Sequence, residues 1–275
     1  MNASYTELRF CLSEEVCALA SERLVGVGFF AFAIEDHVLT AWLPPDQSAT
    51  QDIQRIEQVV GSVATQRRLD HAEIYAGVVP SGSWEVAPSW WVISGDGQAP
   101  AGAGQVVRMP NGGGFGDGRH PATCLAASLL VSLDLRGLRV LDVGCGTGLL
   151  GIIAAKSGAL SVTLADIDAD SVRHAQACVV DNQVQCAVYR SDLLADLPQE
   201  VWDLVVANLY GEFLVAMFQD PRLLGMLPQG RIVLSGISDA KRGMVEDGLS
   251  SNGFVVLERR TTEGWWGLLA LRQGV

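Results

Sequence analysis

Apolar and polar positions follow one rhythm at the start of this chain and another after its middle. Leu8, Phe10 and Leu12 alternate with polar neighbours, the period-two pattern of a strand. Ser13 then opens a helix with Val16, Leu19, Ala20 and Leu24 on one face, closed by Gly26 and Gly28. Residues 29–43 read as two strands turning near Asp36. Ile53, Ile56 and Val60 share one face of a second helix over 48–60, and residues 63–69 supply a last strand. The order βαββαβ is that of a small ferredoxin-like α+β sandwich.

Residues 71–114 are rich in Gly, Pro and Ser and contain Trp84, Trp90 and Trp91. Such composition predicts a connector, with the tryptophans packing it onto a domain rather than lining a binding surface. From about residue 120 strands and helices alternate. Strands are expected at 138–143, 161–166, 186–191, 202–207 and 230–235, and helices at 121–134, 148–158, 169–182, 212–226 and 239–252. That alternation predicts an α/β fold with a doubly wound, mostly parallel sheet. Two final strands, Phe254 to Glu258 and Gly267 to Leu271, would add a hairpin and bring the sheet to seven. The expected parts are residues 1–72, a connector over 73–112, and residues 113–275.

Chemistry gathers at the predicted strand ends. Val140-Leu-Asp-Val-Gly144-Cys-Gly146-Thr-Gly148 is an apolar strand running into a glycine turn that opens a helix. Glycines let a backbone turn tightly and approach a ligand closely. The overlapping run Gly146-Thr-Gly148-Leu-Leu-Gly151 also fits a dinucleotide fingerprint. Asp142 decides against that reading, because a pyrophosphate beside it would meet a like charge, whereas the ammonium of S-adenosylmethionine would be attracted. The terminal hairpin points the same way. It is usual in class I methyltransferases and unusual in dinucleotide dehydrogenases.

Asp166 closes the next strand, where a carboxylate accepts hydrogen bonds from ribose hydroxyls, and Ile167 follows it. Asp168 and Asp170 read as starting the next helix. Asp192 and Leu193 end the third strand, where an acid either faces an adenine amino group or caps the turn. Asn208, at the end of Asp203-Leu-Val-Val-Ala-Asn208-Leu-Tyr210, reaches the ligand-binding edge of the sheet. Its amide would orient a nucleophile or contact the methionine moiety; a turn Asn is the alternative. In Phe115-Gly-Asp-Gly-Arg-His120-Pro-Ala-Thr123, Thr123 caps the helix or contacts a ligand, and His120 is a base or a structural histidine.

Taken together these motifs resemble the ribosomal protein L11 methyltransferases. That family carries a Phe-Gly-Thr-Gly-x-His-Pro-Thr-Thr loop, then Asp-x-Gly-Cys-Gly-Ser/Thr-Gly, Asp-Ile-Asp-Pro, Val-Ala-Asn-Ile and Leu-Ser-Gly-Ile. Here stand Phe115 to Thr123, Asp142 to Gly148, Asp166-Ile-Asp-Ala, Val206-Ala-Asn-Leu and Leu234-Ser-Gly-Ile237. The likeness covers about residues 108–272. It implies a class I, Rossmann-like fold over 113–275 and an N-terminal domain, 1–72, that docks a ribosomal protein. It implies that Thr123, Gly144, Asp166 and Asn208 contact S-adenosylmethionine, and that Phe115 sits over the cofactor or the target amine. Asp117, Ala122 and Ala169 depart from the family pattern, as does Tyr210-Gly-Glu212. Asp117 and Glu212 would place two acids near the substrate mouth to steer an ammonium.

The reaction class is in-line methyl displacement, in which the enzyme mainly positions its reactants. A lysine nucleophile must first lose its proton. Phe115 and the Asn208-Leu-Tyr210 loop are expected to form a partly desolvated slot for it. Asn208 is not followed by Pro-Pro-Tyr, which argues against adenine N6 or glutamine amides as targets. The leading expectation is N-methylation of lysine or the amino terminus of a protein. A small-molecule methyltransferase, a non-catalytic S-adenosylmethionine-binding module and, more distantly, a dehydrogenase are the alternatives.

Composition narrows the partners. Net charge is −12, from 19 basic and 31 acidic residues, with no basic arm or stripe. Phosphate-backbone binding needs clustered Lys and Arg, so a protein partner fits better than nucleic acid. Cys11, Cys17, Cys124, Cys145, Cys178 and Cys186 form no Cys-x-x-Cys pair, so no metal site is expected. No long apolar run or leader pattern appears, and a cytoplasmic protein is expected.

Overall fold

The computed structural model describes residues 4–13, 16, 19–20, 23–24, 32–35, 37–43, 49–70, 81–109 and 116–273. By its contacts the chain divides into two compact units, residues 1–78 and 79–275.

The first unit has β1 (Ser4–Cys11), β2 (Phe32–Glu35), β3 (Val38–Leu43), α1 (Ala49–Val60) and β4 (Thr65–Asp70), with helical residues at 16, 19–20 and 23–24 between β1 and β2. Its antiparallel sheet runs β2-β3-β1-β4, the ferredoxin-like order. Leu8 and Phe10 of β1 meet Leu39 and Ala41 of β3, and Ala20, Leu24, Ile56 and Val60 close the core from the helices. The alternation expected of β1 is therefore the buried one, but of the face expected for the first helix only Ala20 and Leu24 are buried, while Val16 and Leu19 are exposed.

The second unit opens with β5 (Gly82–Ala87), β6 (Trp90–Ser94) and β7 (Gln105–Met109), a small mixed sheet. Much of the stretch expected as a connector is thus strand. Pro88, Ser89, Gly95, Gly97, Pro100, Gly102 and Gly104 lie between these strands, and Val86, Trp90, Val92, Val107 and Met109 belong to the unit's main core. The Asn182 side chain pins β7 by accepting from the Arg108 amide at 2.8 Å and donating to the Arg108 carbonyl at 2.6 Å.

There follow α2 (Pro121–Val131), β8 (Arg139–Val143), α3 (Leu149–Lys156), β9 (Ser161–Asp166), α4 (Ala169–Asp181), β10 (Ala187–Arg190), β11 (Leu204–Asn208), α5 (Gly211–Gln219), α6 (Pro221–Met226), β12 (Arg231–Ser238), α7 (Arg242–Ser251), β13 (Phe254–Thr262) and β14 (Trp265–Arg272). The seven-stranded sheet runs β10-β9-β8-β11-β12-β14-β13; the first five strands are parallel and the hairpin is antiparallel. Successive residues of the central strands feed opposite cores. Val140, Leu204 and Val206 face α2, α3 and α4, whereas Leu141, Val143, Val205 and Ala207 face α5, α6 and α7. Strands buried on both faces read as near-continuous apolar runs, as β11 does in Leu204-Val-Val-Ala207 and β8 does over Val140–Val143 apart from Asp142.

The helix expected over 212–226 is two helices. Pro221 has no amide hydrogen and bars its predecessor from helical angles. Asp220 is accordingly extended (φ −74°, ψ 116°) and caps α6 through the Arg222 amide. Strand β12 runs longer than expected because Gly236, at φ 79°, lets it bulge between Leu234 and Ile237 and continue along β14.

Candidate functional site

The parallel strands β8, β9 and β11 deliver their last residues to one edge. Their register places Val143 beside Ala165 and Asn208 beside Ser235. After β8 the chain turns through Gly144 (φ 70°), Gly146 (φ 51°) and Gly148 (φ 79°) into α3. A Cβ on Gly144 would stand 2.3 Å from Leu209 Cδ2, so this turn is both left-handed and closely packed. The Gly144 and Cys145 amides donate to the Ala165 carbonyl at 2.8 and 2.9 Å, and the Gly146 amide donates to Asp166 Oδ2 at 2.8 Å.

Asp166 therefore sits against the glycine turn. Its other oxygen accepts from the Asp168 amide at 3.0 Å. Burial raises its carboxyl above the ordinary value, and the amide bonds oppose that shift. Ile167 is 58% exposed beside it, an apolar side chain with its face open. Asp168 caps α4, as expected.

Asp142 lies one layer deeper, at 1% exposure. Its Oδ2 accepts from the Gly151 amide in the first turn of α3 at 2.9 Å, and its Oδ1 has no partner among the described residues. Burial pushes its carboxyl up to about 7, against the pull of the Gly151 hydrogen bond and with the Asp166 charge adding to the rise. Asp142 thus braces the turn from below.

Past β10, Asp192 and Leu193 stand on a tight turn closed by the Ala195 amide on the Asp192 carbonyl at 2.9 Å. Leu193 holds φ 47°, unusual for a residue with a side chain. The Ser191 amide joins this turn to the Asp166 carbonyl at 2.9 Å.

On the other side, Asn208 and Thr123 meet. Asn208 Nδ2 donates to Thr123 Oγ1 at 3.1 Å, joining β11 to the first turn of α2. Asn208 is 8% exposed, and its Oδ1 is buried without a hydrogen-bond partner among the described residues. An orphaned acceptor at a sheet edge costs free energy unless a ligand or water supplies the donor. Tyr210 follows at the N-cap position of α5, half-buried, and burial raises its hydroxyl pKa.

The Gly116–His120 loop is held over this edge. Thr147 Oγ1 donates to the Gly116 carbonyl at 2.9 Å, and the Trp84 indole donates to the Asp117 carbonyl at 3.1 Å. His120 is a cap: its Nδ1 accepts from the Ala122 amide at 3.2 Å, and its ring packs edge-on to Trp265 at 4.9 Å. Burial lowers its pKa, and Asp117 and Glu263 oppose the shift. Ser235, wholly buried, donates to the Ala122 carbonyl at 2.8 Å and ties β12 to the same helix start.

Thr123, Gly144, Gly146, Gly148, Asp166, Ile167, Asp192, Leu193, Asn208 and Tyr210 thus converge on the carboxyl edge of the sheet. Phe115 lies outside the described residues. The two acids expected to steer an ammonium have cations of their own. Asp117 pairs with Arg119 at 2.6 Å and Glu212 with Lys241 at 2.7 Å. Burial works to raise the Glu212 carboxyl, but the hydrogen bond from Lys241 holds it below the ordinary value. Sequence reading gave Trp84 only a packing role, quoted Thr147 and Ser235 only within motifs and did not single out Trp265, since their contacts join residues far apart in the chain.

The profile of the ribosomal protein L11 methyltransferase (PrmA) family matches residues 84–273. A ribosomal protein L11 methyltransferase of Thermotoga neapolitana is 33% identical over 260 residues, covering 91% of this chain and 93% of its own. One from Geobacillus kaustophilus is 30% identical, covering 86% and 81%. The crystal structure of a ribosomal protein L11 methylase from Lactobacillus delbrueckii subsp. bulgaricus superposes with a TM-score of 0.64 at 29% identity, covering 70% of this chain and 99% of that one.

Proposed function

As a member of the ribosomal protein L11 methyltransferase family this chain is a methyltransferase, and we propose that it carries methyl groups from S-adenosylmethionine to amino groups of a ribosomal protein, L11 by analogy with its relatives' names. The observation that carries this reading is the Thr123–Asn208 pair with its orphaned acceptor, set across the sheet edge from the glycine turn and Asp166.

These residues fit the cofactor. Gly144, Gly146 and Gly148 give a side-chain-free surface, Asp166 supplies acceptors for ribose hydroxyls, and Asp192, Leu193 and Ile167 offer a polar edge and apolar faces for the adenine. Bound there, S-adenosylmethionine supplies an electrophilic methyl on a sulfonium. The protein's part is to place a neutral amine in line with it. Asn208, its Nδ2 fixed by Thr123, presents Oδ1 to one amine hydrogen and so aims the lone pair. Half-buried Tyr210 and the Gly116–His120 loop would keep water from the slot, where desolvation favours the neutral form of a lysine. Asp117 and Glu212, already paired, contribute little to steering.

The N-terminal unit is assigned to docking the protein substrate, in the cytoplasm where ribosomes assemble. The test is intact-mass spectrometry of L11 incubated with S-adenosylmethionine and the full chain. Stepwise methyl additions that Asn208→Ala slows about a hundredfold support the reading. Unmodified L11, with methylation of small amines instead, would sink it.

A further inference from the structure

Asp192 and Leu193 stand on a short turn after β10, closed by the Ala195 amide on the Asp192 carbonyl at 2.9 Å. Within the turn, the Ser191 hydroxyl donates to the Leu193 carbonyl at 3.0 Å and accepts from the Asp196 amide at 3.1 Å. Leu194 and Leu197 anchor its underside in the core beneath α5 and α6. Leu193 remains at φ 47°, a conformation that L-residues leave unless something fixes them there.

Among the described residues, one hydrogen bond reaches residues 192–196 from outside that turn. Arg222 Nη1 donates to the Ala195 carbonyl at 2.7 Å. The same guanidinium is held fork-to-fork by Asp220, with Nε on Oδ1 at 2.9 Å and Nη2 on Oδ2 at 2.7 Å. Asp220 is fixed in turn as the extended residue between α5 and α6, where its carboxylate caps the Arg222 amide. The break at Pro221 therefore does more than end a helix. It aims a rigid, bidentate cation at the turn that ends β10. A planar guanidinium clamped by a carboxylate loses little further freedom on taking a third partner.

We propose that Arg222 is a positioning residue for adenine recognition, setting the Asp192–Ala195 turn so that Asp192 and Leu193 meet the base. The inference rests on the reading that this turn receives the adenine of S-adenosylmethionine. Arg222 itself touches no cofactor atom; it acts through the Ala195 carbonyl. Loss of a hydrogen bond from a charged donor is typically worth about tenfold or more in an equilibrium constant. A residue that only stabilised the fold would lower melting temperature and leave base preference alone.

The experiment uses the full chain, with calorimetric titration of S-adenosylhomocysteine and of S-inosylhomocysteine, which differs at the base amino group. Alongside it run methyl-transfer kinetics for wild type, Arg222→Ala, Arg222→Lys, Asp192→Ala and the Arg222→Ala/Asp192→Ala double variant. For Arg222→Ala the expected result is a KM for S-adenosylmethionine raised about tenfold with kcat little changed, and a narrowed preference for the adenosyl ligand. Arg222→Lys, which keeps one donor for Ala195, recovers part of that preference and serves if the alanine variant fails to fold. In the Asp192→Ala background the Arg222 change adds little, because both act on one contact. An unaltered adenosyl preference in both Arg222 variants, or additive losses in the double variant, overturns the proposal. A wild type that binds neither ligand overturns instead the reading on which it rests.

Discussion

Asn208 and Asp142 differ in what burial asks of them. Asn208 keeps one acceptor unmet at the sheet edge, which marks it for a ligand. Replacing it with alanine removes that unmet acceptor together with the amide that donates to Thr123 Oγ1. Asn208→Ala is expected to lower kcat by about a hundredfold, the usual scale for a lost orienting group, while the melting temperature stays close to wild type. Steady-state kinetics beside thermal melts check this. Asp142 is raised to about 7 in the folded chain, above its unfolded value near 3.8, because burial opposes its charge. A carboxyl with a raised folded pKa stabilises the protein fully below the unfolded value, and that contribution is lost as pH rises through 7. Asp142→Asn keeps an acceptor for the Gly151 amide and has no charge to bury. Its melting temperature should gain on wild type steadily between pH 4 and 8, and a pH-independent difference would contradict this account. Asp166, Asn208 and Thr123 stand at the sheet edge where the sequence put them because each lies at an end of a regular element, whereas Asp142, expected to attract an ammonium, is buried beneath the turn and bonded to the Gly151 amide. The Arg119 and Lys241 pairings of Asp117 and Glu212 were not legible in the sequence, although Arg119 lies only two residues from Asp117. A charge in sequence does not say whether a neighbour already satisfies it.

At the scale of elements, β12 controls the site through one bulge. Gly236 adopts φ 79°, and a Cβ there would stand 2.5 Å from the Leu209 carbonyl oxygen, a backbone atom that cannot swing aside. Leu209 directly follows Asn208. Gly236→Ala is expected to cost on the order of 3 kcal/mol and to displace the Asn208 loop, so urea unfolding and activity should fall together. The alternation of strands and helices was readable because β8, β9, β11 and β12 are predominantly apolar segments bounded by turns. Three features escaped. Strands β5, β6 and β7 were hidden by the density of Gly, Pro and Ser in their turns. The division of residues 212–226 into α5 and α6 was carried by Pro221, whose effect the apolar periodicity on either side conceals. The turn joining β13 to β14 is only Glu263 and Gly264, both at positive φ, so the hairpin strands run longer than their apolar centres indicate.

The whole molecule comprises two units, each with its own core. All the described residues assigned to the cofactor lie in the second. A chain of residues 79–275 is therefore expected to bind S-adenosylmethionine within about threefold of the full protein and to lose methylation of the ribosomal protein, since the proposed docking unit is gone. Equal protein methylation by the truncated chain would remove the docking assignment. The net charge of −12 is consistent with a protein partner, and steering of that kind would weaken as salt is raised. The most direct measurement on the central claim is calorimetric titration of the full chain with S-adenosylmethionine, with NADH as the control, in wild type and Asp166→Ala. The expected result is binding of S-adenosylmethionine alone, weakened about tenfold or more by the substitution, as loss of a hydrogen bond to a charged group implies. Binding of NADH, or S-adenosylmethionine binding indifferent to Asp166→Ala, would contradict it.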